Sequence, residues 1–161
     1  MTGYLRPATL DEAVAALAAS PRIPIAGGTD FYPARVGTAP DEDLLDLTAI
    51  PNLRGIAADA TGWRFGAATP WTEVIEADLP PLFDGLKAAA REVGGVQIQN
   101  VGTLGGNLCN ASPAADGTPN WLVLDAEGQP ASAARTRLLP VRHLVLGNRQ
   151  NARRPDEILT A

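Results

Sequence analysis

Apolar residues near the start of the chain recur at the spacing of one helix face. The residues that share this face are Leu10, Ala13, Val14 and Leu17. Thr9 and Glu12 have the spacing of a capping box, in which each side chain bonds the backbone N–H of the other residue. The pattern predicts a helix from about Leu10 to Ala19, which Pro21 ends.

Short apolar runs follow, and they predict strands. Ile23 to Ala26 is one such run. It leads into the turn Gly27-Gly28, after which Thr29 or Asp30 is expected to cap a brief helix toward Arg35. Leu44 to Leu47 is a second run. A strand, a helix and a strand in this order predict a small parallel unit with a crossover connection.

Beyond Pro51 the pattern becomes that of an antiparallel hairpin. Ile56 to Ala58 and Trp63 to Gly66 flank a turn over residues 59–62, and Trp63 and Phe65 fall on one face. We therefore place a boundary between two sub-regions of the chain near Pro51.

Two helices are predicted next from their prolines and glycines. Thr69 and Pro70 predict a helix from Pro70 to about Ala77, with Thr69 as its N-cap. Pro81 opens a second helix, and Gly94-Gly95 ends it. The apolar stripe of that helix consists of Leu82, Leu86, Ala89, Ala90 and Val93.

The last third of the chain carries one further helix signal. Thr118 and Pro119 predict a helix through Leu124, with its N-terminus directed back at the segment before it. Ala131 to Pro140 and Val141 to Leu146 each predict a short strand or turn.

The segment from Asn100 to Pro119 reads NVGTLGGNLCNASPAADGTP and contains few bulky side chains. We interpret it as a loop in which Gly105 and Gly106 present backbone N–H groups to a ligand. Consecutive N–H groups favour an anion, most often phosphate. The loop IAGGTDF from Ile25 to Phe31 has the same character. The two loops together predict one phosphorylated ligand, and the alternative is that both are tight turns that merely close the fold.

Three single side chains bear on the chemistry. Asp116 looks buried, and it is expected either to accept hydrogen bonds from a ribose or ring, or to cap the following helix. Cys109 is expected to be a small packed side chain. His143 is far in sequence from Cys109, so the chain does not show the pattern of a hydrolase.

Composition narrows the function classes further. The formal net charge is -5, and basic residues form no block suited to a phosphate backbone, which argues against nucleic-acid binding. The single cysteine excludes an intramolecular disulfide and a cysteine-based iron–sulfur or zinc cluster within this chain. No apolar run reaches membrane-spanning length, and the N-terminus lacks a signal-peptide core. We expect a protein without a membrane span, in the cytoplasm.

Four motifs resemble those of one known family. They are IAGGTDF at Ile25, FGAATPWTEV at Phe65, NVGTLGGNLCNASPAADGTP at Asn100 and RRPDEILTA at Arg153. In order and spacing the chain resembles the FAD-binding (medium) subunit of the molybdenum hydroxylases, the family of xanthine dehydrogenase and carbon monoxide dehydrogenase. The resemblance implies an α+β fold in which residues 1–161 form an FAD-binding domain of two subdomains. A small parallel three-stranded unit would occupy about 1–51, and an antiparallel five-stranded unit with helices about 52–161.

The resemblance also implies which residues hold FAD between the two subdomains. Two loops would bind its pyrophosphate, and Asp116 would lie near the ribityl and adenosine portions. The residues of the two loops are Ala26, Gly27, Gly28, Thr29, Asp30, Phe31, Thr103, Leu104, Gly105, Gly106 and Asn107.

In this family the flavoprotein is an oxidoreductase subunit. The resemblance implies that it passes electrons from the clusters of an iron–sulfur subunit through FAD to an acceptor, while a molybdopterin subunit oxidises the substrate. A homodimer is a further assembly to consider. The alternative function is a non-catalytic remnant without FAD that keeps the fold as an interaction or oligomerisation module.

The chain departs from the family pattern at three places. Asn151 and Arg153 stand where relatives usually have a threonine and an apolar contact to the flavin ring, and Gly128-Gln129-Pro130 replaces residues of a strand. Relatives also continue past the last motif into a C-terminal domain that helps to cover the flavin. We expect this chain to lack that domain and to bind FAD more weakly.

Overall fold

A small parallel sheet begins the fold. The computed structural model describes residues 3–161. Its first strands are β1 (Tyr4–Leu5), β2 (Ile23–Ile25) and β3 (Leu44–Asp46), and β3 lies in the middle. Both pairings are parallel, with Ile25 opposite Asp46 at the end of β2. The parallel three-stranded unit is therefore confirmed.

Helix α1 (Leu10–Ala19) connects the first two strands and has the predicted boundaries. The capping box is present, because the Glu12 N–H donates to the Thr9 hydroxyl at 3.2 Å and the Thr9 N–H donates to the Glu12 carboxylate at 3.3 Å. Between β2 and β3, the expected brief helix is a 3-10 turn at Pro33–Arg35, and neither Thr29 nor Asp30 caps it.

The rest of the described chain is antiparallel and helical, which confirms the α+β class. The hairpin of β4 (Ile56–Asp59) and β5 (Gly62–Phe65) is as predicted. The later strands form three more two-stranded ladders, and these pair β6 with β8, β7 with β11 and β9 with β10. Their bounds are β6 (Glu127–Gly128), β7 (Pro130–Ala131), β8 (Leu139–Pro140), β9 (Val145–Gly147), β10 (Gln150–Asn151) and β11 (Ile158–Leu159).

The β6–β8 and β7–β11 ladders are short because prolines interrupt them. Pro130 and Pro140 lack the N–H that a ladder requires, and Gln129 separates β6 from β7. Within residues 3–161, the antiparallel strands thus form four two-stranded pairs where the resemblance implied one five-stranded unit.

Six further helices follow the hairpin. They are α2 (Trp71–Glu76), α3 (Asp84–Glu92), α4 (Val96–Gln99), α5 (Leu104–Asn110), α6 (Gly117–Val123) and α7 (Val141–Leu144). Three of them, α4, α5 and α7, were not predicted. The pattern missed α4 and α7 because a helix of four residues has only one turn and shows no periodicity.

Several predicted helix starts are wrong in detail. The Thr69 hydroxyl does not cap α2, since it bonds the N–H and the carbonyl of Gly55 at 2.9 and 3.2 Å. Helix α3 is preceded by a 3-10 turn at Pro81–Phe83, whose different period leaves Leu82 exposed instead of in the apolar stripe. Helix α6 starts at Gly117, so that Thr118 lies inside it.

Two apolar cores lie under these elements. One comprises residues of α1, β3 and the following turn, together with Ile158 from β11. The other joins α2, α3, α5 and α6 around Trp71 and Trp121. The division into subdomains at about residue 51 stays a prediction, which the presence of two cores supports.

A buried ion pair fastens the last segment of the chain. Glu157 is 1% exposed, and both of its carboxylate oxygens accept from Arg137 at 2.8 Å. The Arg154 N–H donates to the same carboxylate at 2.9 Å. Hydrogen bonding to Arg137 lowers the pKa of Glu157 from its usual 4.5. The motif residue Glu157 therefore has a structural role that the sequence pattern did not reveal.

Within residues 3–161, the helices are all too short or too polar to cross a lipid bilayer.

We predict that Glu157→Gln lowers the free energy of unfolding at pH 7 by about 3 kcal/mol, because Arg137 loses its charge partner in a buried setting. Since the folded-state pKa of Glu157 is lowered, its contribution is complete above pH 4.5 and declines as the pH falls through the folded-state value. Urea unfolding at pH 7 and pH 3 measures this. Glu92→Gln, at an exposed position on α3, is the control. A difference of the same size at both pH values would contradict the assignment.

Candidate functional site

A cavity of about 660 Å³ lies where the two glycine-rich segments meet. This volume is within the range of about 300–1,000 Å³ that is usual for small-molecule and cofactor sites. Of the twelve predicted site residues, all but Leu104 line the cavity. Leu104 is 3% exposed and packs in the core around Trp71, so its side chain points away from the site.

All six residues of the loop Ala26 to Phe31 line the cavity. None of its six N–H groups donates a hydrogen bond to another residue of the described chain. Gly28 has φ +67, a left-handed conformation that glycine adopts without strain. Successive N–H groups that turn inward around such a residue form a concave anion site.

The same loop is held against the opposite side of the cavity by Gly27. A Cβ at this position would lie 1.9 Å from the carbonyl oxygen of Val101. Only glycine permits this approach of two backbones. The loop that carries the unpaired N–H groups is therefore fixed beside the segment that leads into α5.

The second segment differs from its prediction, because residues 104–110 form helix α5 and not a loop. Thr103 is its N-cap, and the Gly106 N–H donates to the Thr103 hydroxyl at 3.1 Å. The Leu104 and Gly105 N–H groups donate to the carbonyls of Thr69 and Ala67 at 3.1 and 2.7 Å. The N–H groups that the sequence predicted to face an anion are therefore used within the protein.

The two glycines at the start of α5 have different roles. A Cβ on Gly105 would lie 2.6 Å from the Cβ of Ala67, so Gly105 allows α5 to pack closely on that residue. Gly106 is exposed toward the cavity, and a Cβ there would meet only the Thr103 hydroxyl, at 2.9 Å. Gly106 thus keeps the cavity open, and Gly105 holds its wall in place.

Asn107 leaves an acceptor without a partner. Its Oδ1 is buried, and no donor of the described residues reaches it. It lies beside Gly117, the first residue of α6, where a side chain would come within 2.9 Å of it. An unsatisfied buried acceptor costs about 1–3 kcal/mol, which a hydroxyl or N–H of a ligand would recover. Asn107 is therefore suited to a ligand with hydrogen-bond donors.

Asp116 is exposed, which corrects the expectation that it is buried. It lines the cavity at the N-terminal end of α6, but its carboxylate makes no capping bond. The side chain remains available to a ligand at this edge of the cavity.

The hairpin of β9 and β10 lies at the cavity, and the sequence pattern did not place it there. Asn151 donates to the Cys109 carbonyl at 2.6 Å and accepts from the Arg153 N–H at 3.0 Å. The Arg153 guanidinium donates to the Glu157 carbonyl at 2.6 Å. Arg149 also lines the cavity. The arginines that follow Gly147 were the one sequence feature that could have pointed to this hairpin as part of the site. Their spacing along the chain does not show that they lie near the two glycine-rich segments.

Cys109 lies on the cavity side of α5. Burial raises the pKa of its thiol, and the charge of Arg153 opposes this only in part. The thiol is therefore neutral at pH 7, as expected of a packed cysteine and not of a nucleophile.

The family model described as the FAD binding domain in molybdopterin dehydrogenase matches residues 1–161. The chain belongs to this family. FAD is therefore its cofactor. The unpaired N–H groups of residues 26–31, the orphan acceptor of Asn107 and the cavity volume suit a ligand that carries phosphates and hydroxyl groups.

Individual relatives agree with the family assignment. The chain is 35% identical over 163 residues to the xanthine dehydrogenase FAD-binding subunit of Escherichia coli O157:H7, covering 98% of this chain and 56% of the relative. It is 30% identical over 162 residues to the carbon monoxide dehydrogenase medium chain of Afipia carboxidovorans, with the same coverage.

A solved structure shows the same fold. The carbon monoxide dehydrogenase from Hydrogenophaga pseudoflava that lacks the Mo-pyranopterin moiety superposes with a TM-score of 0.89 at 26% identity. The match covers 99% of this chain and 57% of that chain. The chain thus spans little more than half the length of these relatives.

We predict that Gly105→Ala destabilises the protein by about 1–3 kcal/mol, because the added methyl group forces α5 away from Ala67. Gly106→Ala is the matched control. We expect Gly106→Ala to change stability little. The gain in helix propensity of about 1 kcal/mol offsets the disturbed contact between the added methyl group and the Thr103 hydroxyl. Chemical denaturation of the two variants measures the difference, and equal stability of both would contradict the packing role of Gly105.

Proposed function

We propose that this chain is the FAD-binding electron-transfer part of a molybdopterin-dependent hydroxylase or dehydrogenase. In this role it passes electrons from the clusters of an iron–sulfur subunit, by way of FAD, to an acceptor, while a molybdopterin subunit acts on the substrate. The redox chemistry is supplied by FAD when it is bound. The chain's own residues bind and orient the cofactor.

The run of unpaired N–H groups from Ala26 to Phe31 carries the proposal. Each of these donors is left without a protein acceptor at the surface of the cavity. We assign the FAD pyrophosphate to this loop, since an anion with several oxygens satisfies several N–H groups at once. The family resemblance had implied that residues 26–31 and residues 103–107 both bind the pyrophosphate.

The α5 side of the cavity has a different task in the proposal. Because the N–H groups of Leu104 to Gly106 are already bonded, Thr103, Gly105 and Gly106 shape the wall along which the cofactor lies. Asn107 accepts a hydrogen bond from a hydroxyl of the ribityl or ribose portion, which satisfies its buried Oδ1. Asp116 accepts a second one at the rim.

The partner subunits are part of this proposal. The relatives with the same fold are named as a FAD-binding subunit and a medium chain, so each is one component of a larger enzyme. We place the complex in the cytoplasm, because a chain with one cysteine has no intramolecular disulfide to maintain.

The direct test is uptake of FAD by the purified chain. We expect flavin fluorescence to change on binding and the thermal midpoint to rise with FAD concentration, because a ligand that binds only the folded state stabilises it. Riboflavin, which lacks the pyrophosphate, is the matched ligand and is expected to bind far more weakly. If FAD well above micromolar concentration changed neither signal, and the chain formed a defined homodimer without flavin, the alternative of an interaction module would be favoured.

We predict that Gly106→Val weakens FAD binding by at least about tenfold while the fold remains intact, because the side chain projects into the cavity and not into the core. Fluorescence titration gives the affinity, and thermal melting without ligand reports the fold. Ala88→Val, an exposed helical position on α3 outside the cavity, is the control. Equal FAD affinity of Gly106→Val and the parent would remove α5 from the site.

A further inference from the structure

Arg149 lies at the tip of the β9–β10 hairpin, beside the loop that carries the unpaired N–H groups. We propose that the Arg149 side chain closes over the pyrophosphate of FAD and is the cation that neutralises it. This inference rests on the proposed function, because it places the pyrophosphate at residues 26–31.

The backbone of Arg149 is fixed in an unusual conformation. Its φ is +57, which is uncommon for a residue with a side chain. Its N–H donates to the Ala111 carbonyl at 2.8 Å, and the neighbouring Asn151 donates to the Cys109 carbonyl at 2.6 Å. Two hydrogen bonds thus attach the hairpin to the end of α5. They hold Arg149 at the mouth of the cavity in a conformation that glycine or asparagine would adopt more easily.

The Arg149 side chain reaches from α5 toward the loop. Its guanidinium donates to the side-chain oxygen of Asn110 on α5. The same nitrogen lies 3.9 Å from the carboxylate of Asp30 in the loop. Both charged side chains are 56% exposed. An ion pair this exposed and this long contributes little stability, so a stronger anion can replace Asp30 as the partner of Arg149.

The guanidinium groups of the other two arginines that line the cavity, Arg35 and Arg153, are held by protein groups. Arg35 is bonded to Glu42 at 2.5 Å and lies over the Phe31 ring at 3.8 Å. Arg153 donates to the carbonyls of Arg154 and Glu157 at 3.0 and 2.6 Å. Arg149 therefore has the guanidinium that is freest to turn. A guanidinium matches two phosphate oxygens at once, which makes arginine well suited to a pyrophosphate.

Asp30 acts against the cofactor in this arrangement. Its carboxylate competes with the pyrophosphate for the Arg149 guanidinium. Removing the charge of Asp30 should therefore strengthen FAD binding, but only while Arg149 is present. If the role of Arg149 were purely structural, the effect of Asp30→Asn on FAD affinity would not depend on Arg149.

FAD titrations of five forms of the chain test the inference: the parent, Arg149→Gln, Asp30→Asn, the double variant, and Arg135→Gln as an exposed arginine outside the cavity. We expect Arg149→Gln to weaken FAD binding about 10- to 100-fold, the loss typical of one charge-assisted hydrogen bond or two. Asp30→Asn should strengthen binding several-fold, yet change nothing when combined with Arg149→Gln. Arg135→Gln should match the parent. Sodium chloride should weaken binding less in Arg149→Gln than in the parent.

Two results would overturn the inference while leaving the proposed function in place. One is equal FAD affinity of Arg149→Gln and the parent. The other is a loss of affinity in Arg149→Gln that is matched by a loss of thermal stability without ligand, because the hairpin would then be only structural. If the parent itself took up no FAD, the proposed function would fail, and the role of Arg149 with it.

Discussion

Two close contacts between backbones hold the cavity together. Gly27 lies against the Val101 carbonyl, and Gly105 lies against Ala67, to whose carbonyl its N–H donates at 2.7 Å. The first contact joins the loop after β2 to the segment before α5. The second joins α5 to the chain that leaves the β4–β5 hairpin. Because neither approach tolerates a side chain, the shape of the site depends on these two glycines more than on any polar residue around it.

These contacts also explain how the site divides its tasks. On one side, α5 uses its first N–H groups to build the wall, through the Thr103 cap and the carbonyls of Ala67 and Thr69. On the other side, the loop from Ala26 to Phe31 makes no such bonds within the described chain, and its donors remain at the surface of the cavity. Residues 26–29 and 31 are half-buried and Asp30 is exposed, and a continuous run of N–H groups without protein acceptors beside a cavity suits an anionic ligand.

Much of the fold could be predicted from the sequence, because local signals are strong where an element is long or capped. The Thr9–Glu12 box and the apolar stripe of α1 predicted its ends correctly. The glycine-rich segment was misjudged, because glycines favour loops in isolation, whereas here the Thr103 cap and the close packing of Gly105 on Ala67 accompany a helix. The sequence correctly predicted that the segments around residues 26–31 and 103–107 come together, but it predicted a loop where α5 forms. The hairpin of Arg149 and the buried pair of Glu157 with Arg137 depend on contacts between residues distant in sequence, which no local pattern reveals.

We propose that the N–H groups of residues 26–31 hold the pyrophosphate of FAD. Residue-resolved amide hydrogen exchange, measured with and without FAD, tests it most directly. Without ligand these amides should exchange fast, since no protein acceptor protects them, while Leu104 to Gly106 should already be protected. With FAD bound, we predict that exchange slows by at least about tenfold in Ala26 to Phe31 and changes little at Leu104 to Gly106. Protection confined to α5, with residues 26–31 still exchanging fast in the FAD complex, would contradict it.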